Sequence, residues 1–470
     1  MRRIHIKCTL VLLIVCAIFG GCRANNQLSS QTQSSGAPVV LTMTDTPPSN
    51  VTILSAEVTL TGATLNPGNV PVFSGSTTVE LTRLQTDVAY LTTAMVTPGA
   101  YTSLTLTFSD PVLTIENDTG SPLVAGVGNP TCSAGAICTI QSVATNLSTT
   151  VTPLTFTLTA NKAAGLLVDV NLNNLLSATL GSDFISGVTV STFTPAGSGA
   201  PSVGAEDVVG QVSSVNTTNN MFSFQNATGT YSLTADSTTT YFQFPSSQCA
   251  TVGFSCLHNG QILSVDIGLA ADGTPTARNV LFEDADSSDA EVEGLITKTG
   301  SSQLTIVTLA ESAAISGLPI GTSATVNYGL STTSDIDFVH ADKTLVDTTG
   351  FLFSISVPSD LVVGQQVQIR RNPATSSGTS IMADRIRLRS TRVTGTFQSG
   401  VITLMNLGTL PSLFTTNGIP LIQTKTSVPT ICTGVTSCTL LAVTHKESVR
   451  GPLFANSGSP TVVASKVVQH

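Results

Sequence analysis

Cysteine carries the most definite chemistry in this chain of 470 residues, which holds nine of them. Cys132/Cys138, Cys249/Cys256 and Cys432/Cys438 form three close pairs in well-separated segments. Gaps of five and six residues without flanking histidine fit zinc spacing poorly, so local disulfides stapling loops are predicted. Closing each small loop contributes about 2 kcal/mol in the chain-entropy picture. Cys22 has a different setting. Arg2, Arg3 and Lys7 precede an apolar stretch over residues 10–19 that is too short to span a bilayer. Ile18-Phe19-Gly20-Gly21-Cys22 then fits the lipobox pattern, in which small residues enter a signal-peptidase groove and the cysteine sulfur takes a diacylglycerol. Phe19 stands where that pattern prefers Leu. The alternatives are an uncleaved anchor and an ordinary secretory signal.

Elsewhere the residues that could do chemistry are scattered. After the signal the histidines are His258, His340, His445 and His470, with no H-E-x-x-H and no second histidine at metal spacing. There is no G-x-S-x-G elbow, and Gly126-Val127-Gly128 runs into Asn129-Pro130 without a following helix. No catalytic, metal or cofactor residue is assigned, and a non-enzymatic role is expected. Two charged runs stand out. Glu283, Asp284, Asp286, Asp289, Glu291 and Glu293 crowd one segment, and Arg370, Arg371, Arg385, Arg387, Arg389 and Arg392 crowd another. Arg385, Arg387 and Arg389 alternate with Ile386 and Leu388 and so share one face of a strand. Aligning Ala277 with Ala383 sets Glu283 at the place of Arg389, the same surface with the opposite sign. Three readings stand for these runs: two solvated faces, an interaction face that meets within or between chains, and a calcium site in the acidic run.

The elements that must carry these residues are strands. Val39, Leu41 and Met43 alternate with Thr42 and Thr44. Leu104, Leu106 and Phe108 alternate with Ser103, Thr105 and Thr107, and Leu154, Phe156 and Leu158 with Thr155, Thr157 and Thr159. Leu166, Val168, Val170 and Leu172 follow the same rule. Period-two patterning with one wet face predicts antiparallel sheets packed as a sandwich. One helical hint appears, with Leu84, Val88 and Leu91 spaced for a single helical face.

Several of these stretches occur in a fixed order: Asp45-Thr46-Pro47, an E-L-x-x-L beginning at Glu80, Pro98-Gly99-Ala100-Tyr101, and a V-D-V-N-L ending from Val168. In that order they resemble the N-terminal domain of a group of bacterial lipoproteins, the domain of unknown function numbered four-three-eight-two, over residues 38–196. The resemblance implies an exported β-sandwich and carries no agreed active site.

A Pro/Gly/Ser linker separates this region from the rest, and beyond it the sequence repeats. Val209-Gly210-Gln211-Val212 is answered by Glu293-Gly294-Leu295-Ile296 and by Thr394-Gly395-Thr396-Phe397. Asn259-Gly260-Gln261-Ile262 is answered by Val363-Gly364-Gln365-Gln366, and a glycine turn leads each module into a closing strand. Thr444-His445-Lys446 stands where the third copy should have its G-Q, and the second copy lacks the cysteine pair of the other two. Short strands with glycines at bends suit small closed barrels. The pattern also resembles tandem domains of unknown function numbered five-six-six-six.

The expected architecture is therefore all-β, an N-terminal antiparallel β-sandwich followed by three tandem small β-barrel modules. The units expected are a lipoprotein signal (1–22), a flexible tether (23–37), the sandwich (38–196) and modules at 205–289, 290–390 and 391–470, strung as independent beads. Net charge is −9, and cleavage of the signal removes three cations and no acids, which disfavours nucleic acid as a partner. The membrane, through an N-terminal lipid, and an envelope glycan or protein are the expected partners. A cell-envelope location follows, and Arg23 after the cysteine leans towards the outer membrane. With no Trp, a sugar-stacking platform is sparsely supplied.

Overall fold

In the computed structural model, Leu104, Leu106 and Phe108 are fully buried between two sheets, as their alternation requires. The structure describes residues 36–46, 53–117, 121–124, 131–141, 146–172, 185–195, 208–226, 229–285, 291–311, 318–336, 346–372, 376–403, 413–416, 419, 421–427, 430–433, 437–438, 445–456 and 459–470. Cys22, the signal, residues 23–35 of the tether, Asp286, Asp289 and His340 lie outside the described residues, and the tether's expected last residue, Ala37, is instead buried in the first strand. Within them the protein is all-β, a sandwich followed by three small barrels.

One sheet of the sandwich has the order Val188–Phe193, Ala164–Asn171, Ala37–Thr46, Ala89–Val96. The other has Leu147–Val151, Ser103–Asn117, Ile53–Asn66 and Val70–Glu80, with Ala136–Gln141 also on Ser103–Asn117. Leu41, Met43, Leu60, Leu166 and Val168 fill the space between them. The sandwich departs from the antiparallel expectation in one pair. Ala37–Thr46 runs parallel to Ala164–Asn171, a pairing the chain reaches only by crossing the opposite sheet first.

The helical hint near Leu84 is also corrected. Leu81–Gln85 is a single 3₁₀ turn, and Ala89–Val96 is a strand. Glu80 caps the turn by accepting the backbone N–H groups of Thr82 and Arg83. The β-branched Thr82, Thr86, Val88, Thr92 and Thr93 then favour extended chain over a continued helix.

Each barrel repeats one topology. The first is Val208–Asn216, Met221–Asn226, Gly229–Phe242, Ile262–Leu269 and Pro275–Asp284. Its strands close in the order first, second, third, fifth, fourth and back to the first, with the third and fifth parallel. In the second barrel Glu291–Thr299, Gln303–Glu311, Ser323–Asn327, Gln366–Arg371 and Ser380–Leu388 pair in the same order. In the third the strands are Ser390–Gln398, Val401–Thr403, Leu421–Lys425, Lys446–Phe454 and Thr461–Val463. This ring is the OB-type barrel, which leaves no open sheet edge. The third strand breaks in all three. Its pairing shifts between Ala235 and Thr240 in the first barrel, and it continues as Thr333–Ile336 in the second and Ile431–Thr433 in the third.

The repeated motifs have physical reasons. A Cβ on Gly210 would sit 2.6 Å from Phe224 and 2.7 Å from the Gln225 carbonyl oxygen. On Gly294 it would meet Ile306 at 2.7 Å, and on Gly395 it would meet Ile402 and the Thr403 carbonyl oxygen at 2.6 Å. The first strand must pass that close to the second where each barrel turns a corner. Gly294→Ala is expected to destabilise by about 1–3 kcal/mol through overpacking, read as a lower urea midpoint at unchanged slope.

The glutamine of the G-Q motif tethers the turn before the fourth strand. Gln261 accepts from the His258 N–H (2.7 Å) and donates to the Cys256 carbonyl (3.0 Å). Gln365 does the same with Val362 (2.8 Å) and Asp360 (3.0 Å). In both copies the glutamine's backbone carbonyl accepts from the first strand, at Val212 and Ile296. In the third barrel His445 takes over that backbone role, accepting from Phe397 N–H at 3.1 Å.

The three cysteine pairs are disulfides, with Cα–Cα separations of 5.8 Å for Cys132–Cys138, 5.3 Å for Cys249–Cys256 and 5.3 Å for Cys432–Cys438. The last two staple the same connection, third strand to fourth, in barrels one and three. Cys132–Cys138 departs from the expected loop staple. Cys138 lies inside the sandwich strand Ala136–Gln141, half-buried and opposite Ile115, rather than in a loop. Its bridge therefore pins the sheet to Thr131–Cys132, across a turn in which Gly135 has φ +72°.

The modules are not separate beads, because residues Gly36–His470 form one compact unit. Thr93 of the sandwich donates to the Gly273 carbonyl in a turn of barrel one (2.9 Å). Thr114 donates to the Gly321 carbonyl in a turn of barrel two (3.1 Å). An apolar cluster of Leu54, Val307, Val363 and Leu413 fills the space where the sandwich meets the second and third modules.

Candidate functional site: a buried charge seam joining the four units

The alternation in Ser380–Leu388 sends Ile386 and Leu388 into the core of barrel two and turns Arg385 and Arg387 outward, with Arg389 following. Glu291 and Glu293 leave the same wall from the first strand, either side of the core residue Val292. A single barrel would leave this face in water. Here barrel one, the sandwich and barrel three all press on it.

Glu283, at the end of barrel one's last strand, has a fully buried side chain. Arg387 Nη1 donates to its Oε2, Arg389 Nη1 lies 3.2 Å from its Oε1, and Arg385 Nη2 lies 3.7 Å from Oε2. Arg385 also meets Glu291 at 3.0 Å, Arg387 meets Asp335 at 3.0 Å, and Arg370 meets Asp284 at 3.3 Å. The charged runs therefore meet within one chain, and the reading of two solvated faces is corrected. Its premise, that alternating charge marks a wet face, fails because neighbouring modules cover the strand.

The strand register makes the sign inversion exact in position. Leu263 pairs with Phe282 and Val367 with Leu388, so the residues that follow, Glu283 and Arg389, are equivalent. Both copies also skip one residue at the same place, beside Ala277 and beside Ala383.

The seam continues into the other units. Glu293 receives Arg83 of the sandwich at 3.1 Å and the Gln366 amide, with Arg389 Nε at 3.9 Å. Arg392 Nη1 donates to Gln366 Oε1 (3.3 Å), and its Nε reaches Asp87 Oδ2 at 3.0 Å. Asp87 Oδ1 also lies 3.3 Å from Arg450 and 3.9 Å from Lys466, both of barrel three. Arg83 lies in the turn that Glu80 caps and Asp87 follows it, so the segment opened by the E-L-x-x-L stretch docks the sandwich on the barrels. The repeat spacing marked the arginine face but held no signal for Arg83, Asp87 or Arg450, each of which is single in its segment.

Burial shifts several groups near these junctions. It pushes the Glu291 carboxyl up to about 8, against the opposing pull of Arg385. Asp45 is buried, both its oxygens lack hydrogen-bond partners, and burial with nearby Asp169 and Glu80 raises its pKa well above the usual range. Lys446, from barrel three, pulls Asp45 back down and is itself lowered by burial. His470 is held down to about 4 by burial and by Lys446.

His470 Nε2 lies 2.8 Å from Ser448 Oγ, the spacing of a nucleophile and its base. Ser448 is fully buried and also 2.6 Å from Thr394 Oγ1, which donates to Gln85 Oε1 at 2.7 Å. The string Gln85–Thr394–Ser448–His470 thus crosses from sandwich to barrel three as a polar tie. Among the described residues no three His, Cys, Asp or Glu side chains converge on a metal position. Nor is any helix there long and apolar enough to cross a membrane.

Glu447 occupies in barrel three the core position that Leu263 and Val367 fill in the others, since each pairs with the corner glycine. Its side chain is fully buried without a hydrogen-bond partner, and burial raises its pKa to about 7. Glu57, desolvated and beside Glu80, is also raised to about 7. Both folded values lie above the ordinary carboxylate value, so the folded state holds these protons more tightly. Their contribution is complete below about pH 4 and is lost as pH rises through 7. Unfolding free energy is expected to fall between pH 5 and pH 8 by about 1–3 kcal/mol for Glu447 and by less for the half-buried Glu57, which water screens, and Glu447→Gln removes that carboxyl's share of the slope.

No family model and no curated protein matches the chain. Among solved structures, one described as drosophila Unr CSD456 is similar at 11% identity and a TM-score of 0.13, over 57% of this chain and 98% of that one.

Proposed function

We propose that this protein is a lipid-anchored component of the bacterial cell envelope, outer membrane included, that works as a non-catalytic binding, adhesive or structural module. The observation that carries the reading is the buried seam. It commits Glu283, Asp284, Glu291, Glu293, Arg370, Arg385, Arg387, Arg389 and Arg392 to joining four units in one compact body, which suits display rather than turnover. Three disulfides support an oxidising compartment outside the cytosol. The basic start, the short apolar run and Cys22 support a lipid at the N-terminus. Along barrel one's second and third strands the residues alternating with the core are Ser223, Gln225, Thr230 and Ser232. A neutral hydroxyl and amide surface of this kind suits envelope glycans or proteins better than phosphate backbones.

The test has two parts. Radiolabelled palmitate should enter the mature chain and be lost in Cys22→Ala. The soluble form from residue 23 should be retained on cell-wall or glycan material without turnover in a panel of glycoside and peptide hydrolase assays. Turnover abolished by a single Asp or Glu substitution would reverse the reading in favour of a hydrolase, and co-purification with a fixed stoichiometric partner in detergent would favour an assembly component.

A further inference from the structure

Between barrels two and three lies a cavity of about 270 Å³ that no part of the seam enters. Phe351 and Leu352 reach it from the connection between the third and fourth strands of barrel two. Asp360 comes from the 3₁₀ turn Pro358–Asp360, which Gln365 tethers. Phe454 ends the fourth strand of barrel three, and Asn456 stands in the connection from that strand to the fifth. In OB-type barrels this connection, with the second and third strands, is where oligonucleotides and oligosaccharides bind. The third strand is adjacent here too, since its Lys425 places Nζ 4.9 Å from the Phe351 ring centroid.

The lining selects between those two ligand classes. The floor is apolar: Phe454 is buried and its ring lies 5.0 Å from that of Phe351, while Leu352 at the rim is 80% exposed. The polar groups include two with an acceptor oxygen to spare, beside the Ser359 hydroxyl, which donates as well as accepts. Asp360 gives Oδ2 to the Ser354 N–H (3.0 Å), leaving a second carboxylate oxygen for a ligand. Asn456 donates its Nδ2 to Thr461 Oγ1 (3.4 Å), leaving its carbonyl oxygen. Lys425, the nearby cation, donates to the Thr349 carbonyl at 3.5 Å. A phosphate backbone offers acceptors alone and would face a carboxylate. A pyranose offers hydroxyl donors on its rim and C–H groups on its face, which match both parts of the lining.

Resting on the binding role proposed above, we infer that this cavity is a saccharide subsite, taking one neutral pyranose unit of an oligosaccharide. Its C–H face packs on Phe351 and Leu352, and its hydroxyls donate to Asp360 and Asn456.

Chitotetraose, cellotetraose and maltotetraose are titrated into the form beginning at residue 23, with binding read by saturation-transfer NMR. At least one should bind, and Leu352→Ala and Asn456→Ala, both at exposed positions, should each weaken it about tenfold. Asp360→Asn should weaken it too, with the circular dichroism spectrum unchanged. Binding equal in all three variants and the parent would overturn the subsite while leaving the binding role standing. Failure of all three sugars, with or without capture of a peptide or of oligo-dT, would overturn it as well. If retention on cell-wall material also failed, the broader role would fall with it.

Discussion

Glu283→Ala is expected to lower the unfolding free energy by about 3–5 kcal/mol, among the largest effects available to a single substitution in this protein. The carboxylate is fully buried and receives Arg387 and Arg389 on its two oxygens, with Arg385 at 3.7 Å. Removing it leaves Arg389, itself 1% exposed, without its nearest carboxylate in a site that water does not reach. Desolvation offsets much of the attraction within the intact pair, so the loss in the alanine variant comes mainly from the stranded cations. The asymmetry gives a sharper check. Glu283→Gln, which keeps the shape and an acceptor, should cost less than the alanine variant. The double variant Glu283→Ala/Arg389→Met should recover part of the loss, since it removes the stranded cation. Urea unfolding of the four proteins measures this. Equal stability of Glu283→Ala and the parent would mean that the seam is solvated in solution.

Asp87→Ala should be about as costly, again about 3–5 kcal/mol, with a different signature. Asp87 is where Arg392, Arg450 and Lys466 of barrel three converge on the sandwich. Its loss strands cations at the junction of two units without touching either core. The sandwich and barrel three then lose coupling, so a single unfolding transition should split into two with a lower midpoint for one of them. Limited proteolysis should show new cleavage near residues 80–90 and 390–396 before global unfolding. A uniform shift of one intact transition would instead mean that the apolar cluster around Leu54 and Leu413 couples the units on its own.

Much of the fold was legible in the sequence because strand burial alternates and the alternation was kept. Leu104, Leu106 and Phe108, or Leu166, Val168 and Val170, announce their buried face without reference to anything distant. The repeated glycine and glutamine positions were legible for a related reason, since a close strand crossing and a tethered turn each demand one residue type. Close cysteine spacing announced the Cys132–Cys138 bridge, though not that Cys138 would sit in a strand, because its sheet partner Ile115 comes from a distant segment. What could not be read was everything decided by units that are remote in sequence. The arginine alternation gave the correct face of one strand, yet its burial depends on Glu283, Arg83 and Asp87 arriving from other modules. The spacing of Leu84, Val88 and Leu91 suggested a helix, while the Glu80 cap and five β-branched neighbours decided for a turn and a strand. The parallel strand pair of the sandwich leaves no local trace, because a parallel and an antiparallel strand with one wet face carry the same alternation.

The inverted sign at Glu283 and Arg389 has a consequence for the order of the modules along the gene. Two identical copies would present like charges to each other at that position and would repel. With one copy acidic and the next basic, the contact has a direction. A linker of a few residues sets the two faces at an effective concentration on the order of millimolar. The in-chain partner therefore outcompetes a second molecule. A chimera with the first two barrels exchanged would keep every strand, but it would lose the apolar contacts of barrel two with Phe454 and Val463 and the charge contact that tells each barrel which neighbour is its own.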